Sequence, residues 1–98
     1  MRVVGVTSCA TGIAHTYMAA NAIKKACRKR GHKVKVETQG AVGIEHKLSV
    51  DDIASADLIV FANDVQISDL GRFKGYEDKI CRTDPGAVIR RPDSIFDE

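Results

Sequence analysis

Cysteine pairs, aromatic clusters, an excess of one charge and long apolar runs are all missing from this sequence, and each absence removes a class of function. The three cysteines, Cys9, Cys27 and Cys81, are odd in number and show no C-x-x-C spacing. Neither a disulfide framework nor a zinc site is suggested, and no metal or other cofactor is expected. Reduced thiols in a reducing compartment fit this usage. Aromatic residues make up only 5% of the chain, and 15 Lys and Arg stand against 13 Asp and Glu, so no electrostatic case for nucleic acid arises. The longest unbroken apolar run, Leu58 to Ala62, falls far short of the roughly 20 residues that span a bilayer, so no membrane insertion is expected. The opening Met1-Arg2-Val3-Val4-Gly5-Val6 lacks the apolar stretch of about 7 to 15 residues that a secretory signal needs. A cytoplasmic protein is expected.

What remains is a chain of 98 residues, 44% hydrophobic, enough to close one modest core. Val3, Val4 and Val6 form a β-branched run, after which Ile13, Thr16, Ala20, Ile23 and Cys27 fall on one helical stripe. Lys24, Lys25, Arg28, Lys29 and Arg30 suit the negative end of that helix, and Gly31 its left-handed cap. Val34, Val36 and Thr38 alternate with Lys33, Lys35 and Glu37, the pattern of an edge strand with one polar face. Gln39 to Gly43 reads as a loop. Ser49 with Asp52 three residues on predicts a capped helix running to about Ala56. Leu58 to Ala62 is the expected central strand, Ser68 to Phe73 a short helix, Tyr76 to Cys81 a last strand, and the stretch between Pro85 and Pro92 a helical turn or two.

This alternation predicts an α/β fold: a three-layer sandwich with a four-stranded, mainly parallel sheet and flanking helices. Ligands in such sheets gather at the carboxyl ends of the strands. That edge would collect the loops beginning at Thr7, Gln39 and Asn63, making neighbours of Cys9, Gly40 and Asp64. Cys9 opens the loop into the first helix, whose leading amides lack internal partners and, with the helix dipole, favour phosphate and thiolate alike. Cys9 is therefore read as a nucleophile, against the alternative of a small buried hydrophobe at a strand end. Cys27 and Cys81 read as packing residues. His15, six residues after Cys9, could bond a phosphoryl group or brace the loop. Asp64 reads as a solvated turn residue, because a carboxylate would repel both thiolate and phosphate. The basic cluster at the far end of the helix lies ~27 Å from Cys9 and reads as a solvated cap.

The run Cys9-Ala10-Thr11-Gly12-Ile13-Ala14-His15-Thr16-Tyr17-Met18-Ala19-Ala20 resembles the fructose-type IIB components of the bacterial sugar phosphotransferase system. Supporting it are Val36-Glu37-Thr38-Gln39-Gly40, Gly43-Ile44-Glu45 before Leu48, and Arg72-Phe73, so the resemblance covers nearly the whole chain as one domain, 1–98. It implies that Cys9 accepts phosphate from a phosphohistidine on a IIA protein or domain. It further implies that Cys9 passes the group to fructose or a related sugar held by the membrane IIC component, the chain itself acting as a monomer. Ala10, Thr11, Gly12, Ile13, Ala14, His15 and Thr16 would hold the phosphoryl oxygens, and Ile13, Met18, Val42 and Ile44 are candidates for the IIA contact. Ala10 stands where the family commonly has proline and supplies an extra N–H. His46 stands for asparagine and Asn21 for glutamate.

The arrangement also resembles low-molecular-weight tyrosine phosphatases, whose Cys-x5-Arg loop joins a strand to a helix. Here the arginine position is His15, so the guanidinium clamp on the phosphoryl group is lost. A regulatory module whose phosphorylated cysteine reports sugar supply is the remaining alternative.

Overall fold

A computed structural model describes residues 1–10, 13–40 and 43–96, with the backbone alone at Ile13. In chain order the elements are β1 (Arg2–Ser8), α1 (Ile13–Lys29), β2 (Lys33–Gly40), β3 (Gly43–Glu45), α2 (Val50–Ala54), β4 (Leu58–Asn63), β5 (Ile80–Thr83) and α3 (Pro85–Arg90). Short 3-10 helices lie at Leu70–Phe73, Glu77–Lys79 and Pro92–Phe96. The strands stand in the order β3-β2-β1-β4-β5, with β2, β1, β4 and β5 parallel and β3 antiparallel to β2.

Side chains alternate across β1 and β4, so each strand supplies both faces of the sheet. Val3, Val60 and Ala62 pack with Ala19, Ile23 and Cys27 of α1 and with Val88 of α3. Val4, Val6, Ile59 and Phe61 face the other way, against Leu48, Ile53, Ile67 and Phe73. Phe61 and Phe73 meet edge to face at 4.8 Å between ring centres, a favoured aromatic geometry. The result is the three-layer sandwich read from the sequence, with two cores rather than one continuous one. Cys27 is fully buried, and that burial pushes its thiol up to about 11 despite the nearby charge of Arg30, leaving an inert packing residue.

Three sequence expectations need correcting. The sheet has five strands, not four, because Gly43–Glu45 pairs with Thr38, Gln39 and Gly40 across the stretch Gln39 to Gly43 read as a loop. β2 is consequently an edge only along its first half, where Lys33 and Lys35 are exposed. Its second half is enclosed by β3 and carries Glu37, Thr38 and Gln39 into the interior, so alternation with the lysines misassigned Glu37 to a polar outer face. The last strand begins at Ile80 rather than Tyr76, since 77–79 form a 3-10 turn.

Termini of the helices follow the local chemistry. The Gly31 amide bonds the Arg28 carbonyl and that of His32 the Cys27 carbonyl, closing α1 with Gly31 at a φ of 75°. Pro85 opens α3 behind the Asp84 cap. At α2 the Ser49 hydroxyl accepts from the Asp52 amide while the Asp52 carboxylate accepts from the Ser49 amide, completing a capping box. The helix stops at Ala54, two residues before the expected Ala56. Asp52 also accepts from Lys35 Nζ at 2.8 Å, and that bond first, with the Ser49 amide second, holds its carboxyl down to about 2. Asp52→Ala removes the box and the lysine contact together. It is expected to lower the urea midpoint by an amount equal to about 1 kcal/mol with an unchanged denaturant slope.

Candidate active site

β1 and β4 are neighbours whose onward connections leave in opposite directions, β1 toward β2 and β4 toward β5. A crevice therefore opens at their carboxyl ends, the switch point where α/β sheets place ligands. Cys9 follows β1 and Asp64 follows β4, and the register Ser8 opposite Asn63 sets the two side by side. The expected meeting of Cys9 with Asp64 is realised.

The half-exposed Cys9 thiol donates to Asp64 Oδ2 at 3.2 Å, and its Sγ lies 3.8 Å from His15 Nδ1. Asp64 Oδ1 accepts from the Ala10 amide at 2.8 Å. The Ala10 N–H, then the Cys9 thiol, hold the Asp64 carboxyl below its ordinary range, with the charge of His15 adding in the same direction. Asp64 is exposed on a bend, as read from the sequence, but it is also part of the site, a contact that reading did not give it. The repulsion argument assumed an ionised sulfur, whereas a thiol donates to a carboxylate. The amide that Ala10 gains by not being proline is likewise engaged by a carboxylate rather than open.

The remaining candidates divide. Ala14 and His15 are exposed on the first turn of α1, among the amides that a helix start leaves without internal partners. Thr16 is buried beneath the loop, where its carbonyl accepts from the Thr7 hydroxyl at 3.0 Å. Its side chain packs rather than projecting to the surface. Thr11, Gly12 and Val42 lie outside the described residues, as does the side chain of Ile13. Tyr17 donates to Glu45 Oε1, fastening α1 to β3, and that bond foremost pushes its phenol up. Cys81 is half-buried on β5, and burial pushes its thiol up as well. Among the described residues no group of three His, Cys, Asp or Glu could hold a metal ion.

Behind the crevice lies a polar network that sequence reasoning missed. Glu37 is fully buried and forms a two-pronged ion pair with Arg72, Nη1 to Oε1 at 2.7 Å and Nη2 to Oε2 at 2.6 Å. The Leu48 amide donates to Oε1 at 2.8 Å and Gln39 Nε2 to Oε2 at 2.7 Å. Gln39 in turn grips the main chain of Ser68, accepting from its amide at 2.8 Å and donating to its carbonyl at 3.1 Å. Three segments are thereby joined: the end of β2, the approach to α2 and the long connection from β4 to β5. A signal existed in Glu37-Thr38-Gln39, acidic and amide residues running into the ligand-side end of a strand. Its partner Arg72 could not be located without the fold.

Burial alone would raise the Glu37 carboxyl, but the donors on Arg72, Gln39 and Leu48 outweigh it and the net direction is down. A carboxyl lowered on folding stabilises the protein above its unfolded value of about 4.3, and that contribution is lost as pH falls through the lower folded value. Arg72→Met leaves the carboxylate buried without its cation and is expected to cost about 3–5 kcal/mol near neutrality. The penalty should shrink in melts below about pH 4, where Glu37 enters the core protonated. A Glu37→Met, Arg72→Met double variant should recover much of the loss, measured by denaturant titration.

A family model described as the lactose/cellobiose-specific IIB subunit of the PTS system matches residues 4–98. The "PTS system fructose-like EIIB component 2" of Escherichia coli (strain K12) is 41% identical over 95 residues, covering 97% of this chain and 88% of that protein. The fructose-specific EIIB'BC component of Rhodobacter capsulatus is 46% identical over 97 residues, 99% of this chain but 16% of that longer protein. Among solved structures, a domain of fruA from Bacillus subtilis superposes with a TM-score of 0.84 at 41% identity, covering 97% of this chain and 88% of that one. A domain of the fructose-specific IIABC component of Borrelia burgdorferi gives 0.86 at 34% identity, with the same coverage.

Proposed function

The chain belongs to the IIB family of the bacterial sugar phosphotransferase system, and from that premise we propose that Cys9 is the residue on which it carries phosphate. As a IIB protein it is a phosphotransferase that moves a phosphoryl group between the IIA and IIC components by way of a cysteine. The observation that supports Cys9 is its position. Of the three cysteines it alone stands at the crevice between β1 and β4, in the stretch that leads to the first turn of α1. Cys27 is sealed in the core and Cys81 sits on β5.

In this reading a sulfur lone pair attacks the phosphorus of a phosphohistidine on IIA, and the sugar hydroxyl later displaces the sulfur. The loop from Ala10 to Thr16 and the opening amides of α1 hold the phosphoryl oxygens, by the attraction that helix starts have for anions. The sugar is fructose or a close relative, after the names of the matched relatives, although the family description names lactose and cellobiose. Residues 1–98 form one fructose-type IIB domain, acting as a monomer in the cytoplasm. No helix among the described residues is long and apolar enough to cross a membrane. Met18 and Ile44, 49% and 43% exposed on the two elements that Tyr17 and Glu45 join, are the apolar contacts offered to IIA, with Ile13 and Val42 beside them in sequence.

His15 where a phosphatase carries arginine favours transfer over hydrolysis, because no guanidinium is present there to clamp the transition state. Incubation with phosphorylated IIA should add one phosphate, which peptide mapping places on Cys9, and Cys9→Ser should abolish it while Cys27→Ser and Cys81→Ser retain it. Labelled Cys9→Ser would overturn the assignment. Turnover of p-nitrophenyl phosphate should be negligible, and membranes containing IIC should convert the phosphorylated protein to sugar phosphate. A stable phosphocysteine that never yields sugar phosphate would favour the regulatory alternative.

A further inference from the structure

We propose that Asp64 keeps phospho-Cys9 a ready donor: its carboxylate, fixed against the sulfur, opposes the phosphoryl group and holds down the equilibrium occupancy of Cys9. The proposal rests on the assignment of Cys9 as the carrier. In the unphosphorylated protein the two Asp64 oxygens take the Cys9 thiol and the Ala10 amide, the first donor of the loop that would receive a phosphoryl group. A side-chain anion occupies the place a substrate anion needs.

The main chain that carries Asp64 has little freedom to withdraw. Its amide donates to the Ser8 carbonyl at 3.1 Å, Asn63 is in sheet register with Ser8, and Asn63 Nδ2 closes a turn on the Val65 carbonyl at 2.8 Å. Further along, Gln39 pins the main chain of Ser68. The backbone beneath the carboxylate is anchored on both sides, so only rotation of the short side chain can move the charge.

The transfer itself balances without consuming Asp64. The P–N bond of the donor phosphohistidine breaks with its electron pair going to the ring nitrogen, and a sulfur lone pair forms the S–P bond. The thiol proton, shared between Sγ and Asp64 Oδ2, ends on the freed imidazole nitrogen. Asp64 is left as a carboxylate beside a group carrying about −1.5 to −2 charge, an arrangement that costs phospho-Cys9 stability. When a sugar hydroxyl forms the O–P bond, the S–P bond breaks with its electron pair going to the sulfur, which takes up the hydroxyl proton; the repulsion is relieved, and onward transfer gains what loading lost. A phosphatase would use such a carboxyl to protonate its leaving group. In a carrier whose product is another phosphate ester, the same charge sets the height of the intermediate.

The experiment equilibrates the full chain with phosphorylated IIA at fixed concentrations, from both directions, and reads the ratio of phosphorylated to free protein by intact mass. Wild type, Asp64→Asn, Asp64→Ser and, as a remote charge control, Asp78→Asn are compared. Asn keeps an acceptor for the Ala10 amide and removes the charge. The ratio for Asp64→Asn and Asp64→Ser should rise tenfold or more, the effect of one unit charge about 4 Å from a near-dianion even at the dielectric of water. Asp78→Asn should match wild type. A purely structural role would lower occupancy rather than raise it, so Asp64→Ser serves if Asp64→Asn fails to fold. Equal or lower ratios in folded Asp64 variants would overturn this proposal alone, including the case of a protonated Asp64 that donates to the phosphoryl group. No labelling of wild type would overturn the Cys9 assignment and this proposal with it.

Discussion

A carboxylate sealed from water cannot remain charged unless its neighbours replace the water it lost, and in this protein the replacement is supplied by Arg72, Gln39 and the Leu48 amide around Glu37. Each donor arrives from a different segment, so satisfying one side chain fixes the mutual position of three. The approach to α2 is held by Leu48, and the connection after β4 by Arg72 and, through Gln39, by Ser68. This connection begins with Asp64. The charge of Glu37 therefore reaches the crevice indirectly, by giving the loop that carries Asp64 a fixed far end.

The site built on this support is economical in parts. A strand end supplies Cys9, a helix start supplies amides, and the adjacent strand leads to a carboxylate already engaged with the Cys9 thiol and the Ala10 amide. Related cysteine-loop chemistry depends on a guanidinium to stabilise the phosphoryl group in flight. Here His15 stands at that position, 3.8 Å from the sulfur, and a carboxylate lies 3.2 Å from it.

How much of this the sequence disclosed follows from the range over which each interaction acts. The helix stripe Thr16, Ala20, Ile23 and Cys27, the Ser49 and Asp52 box and the buried run Leu58 to Ala62 are local or periodic signals, and all three read correctly. Glu37 did not, because alternation with Lys33 and Lys35 gives it the same face pattern as residues that stay in water. Only the arrival of β3 and Arg72 distinguishes them. Asp64 was placed at the right edge by topology and rightly read as exposed, but its contact with Cys9 was missed. Its function depends on whether the sulfur opposite carries a proton, which is a property of the assembled pair and not of either residue. The strand at Gly43–Glu45 was hidden for a related reason: three residues are too few to show a period, and they pair with β2 only once that strand is in place.

The position of β1 in the sheet has a consequence for how the chain assembles during synthesis. It is the innermost strand, yet both of its partners are encoded later, β2 after the whole of α1 and β4 after α2 as well. Parallel pairings of this kind close long loops before any contact rewards them, so they form slowly. Until Leu48, Ile53, Ile67 and Phe73 have left the ribosome, Val4 and Val6 have no complete opposing layer, and the nascent segment must wait as an apolar strand with one side bare. The molecule's most protected backbone is thus, for part of its life, its most vulnerable.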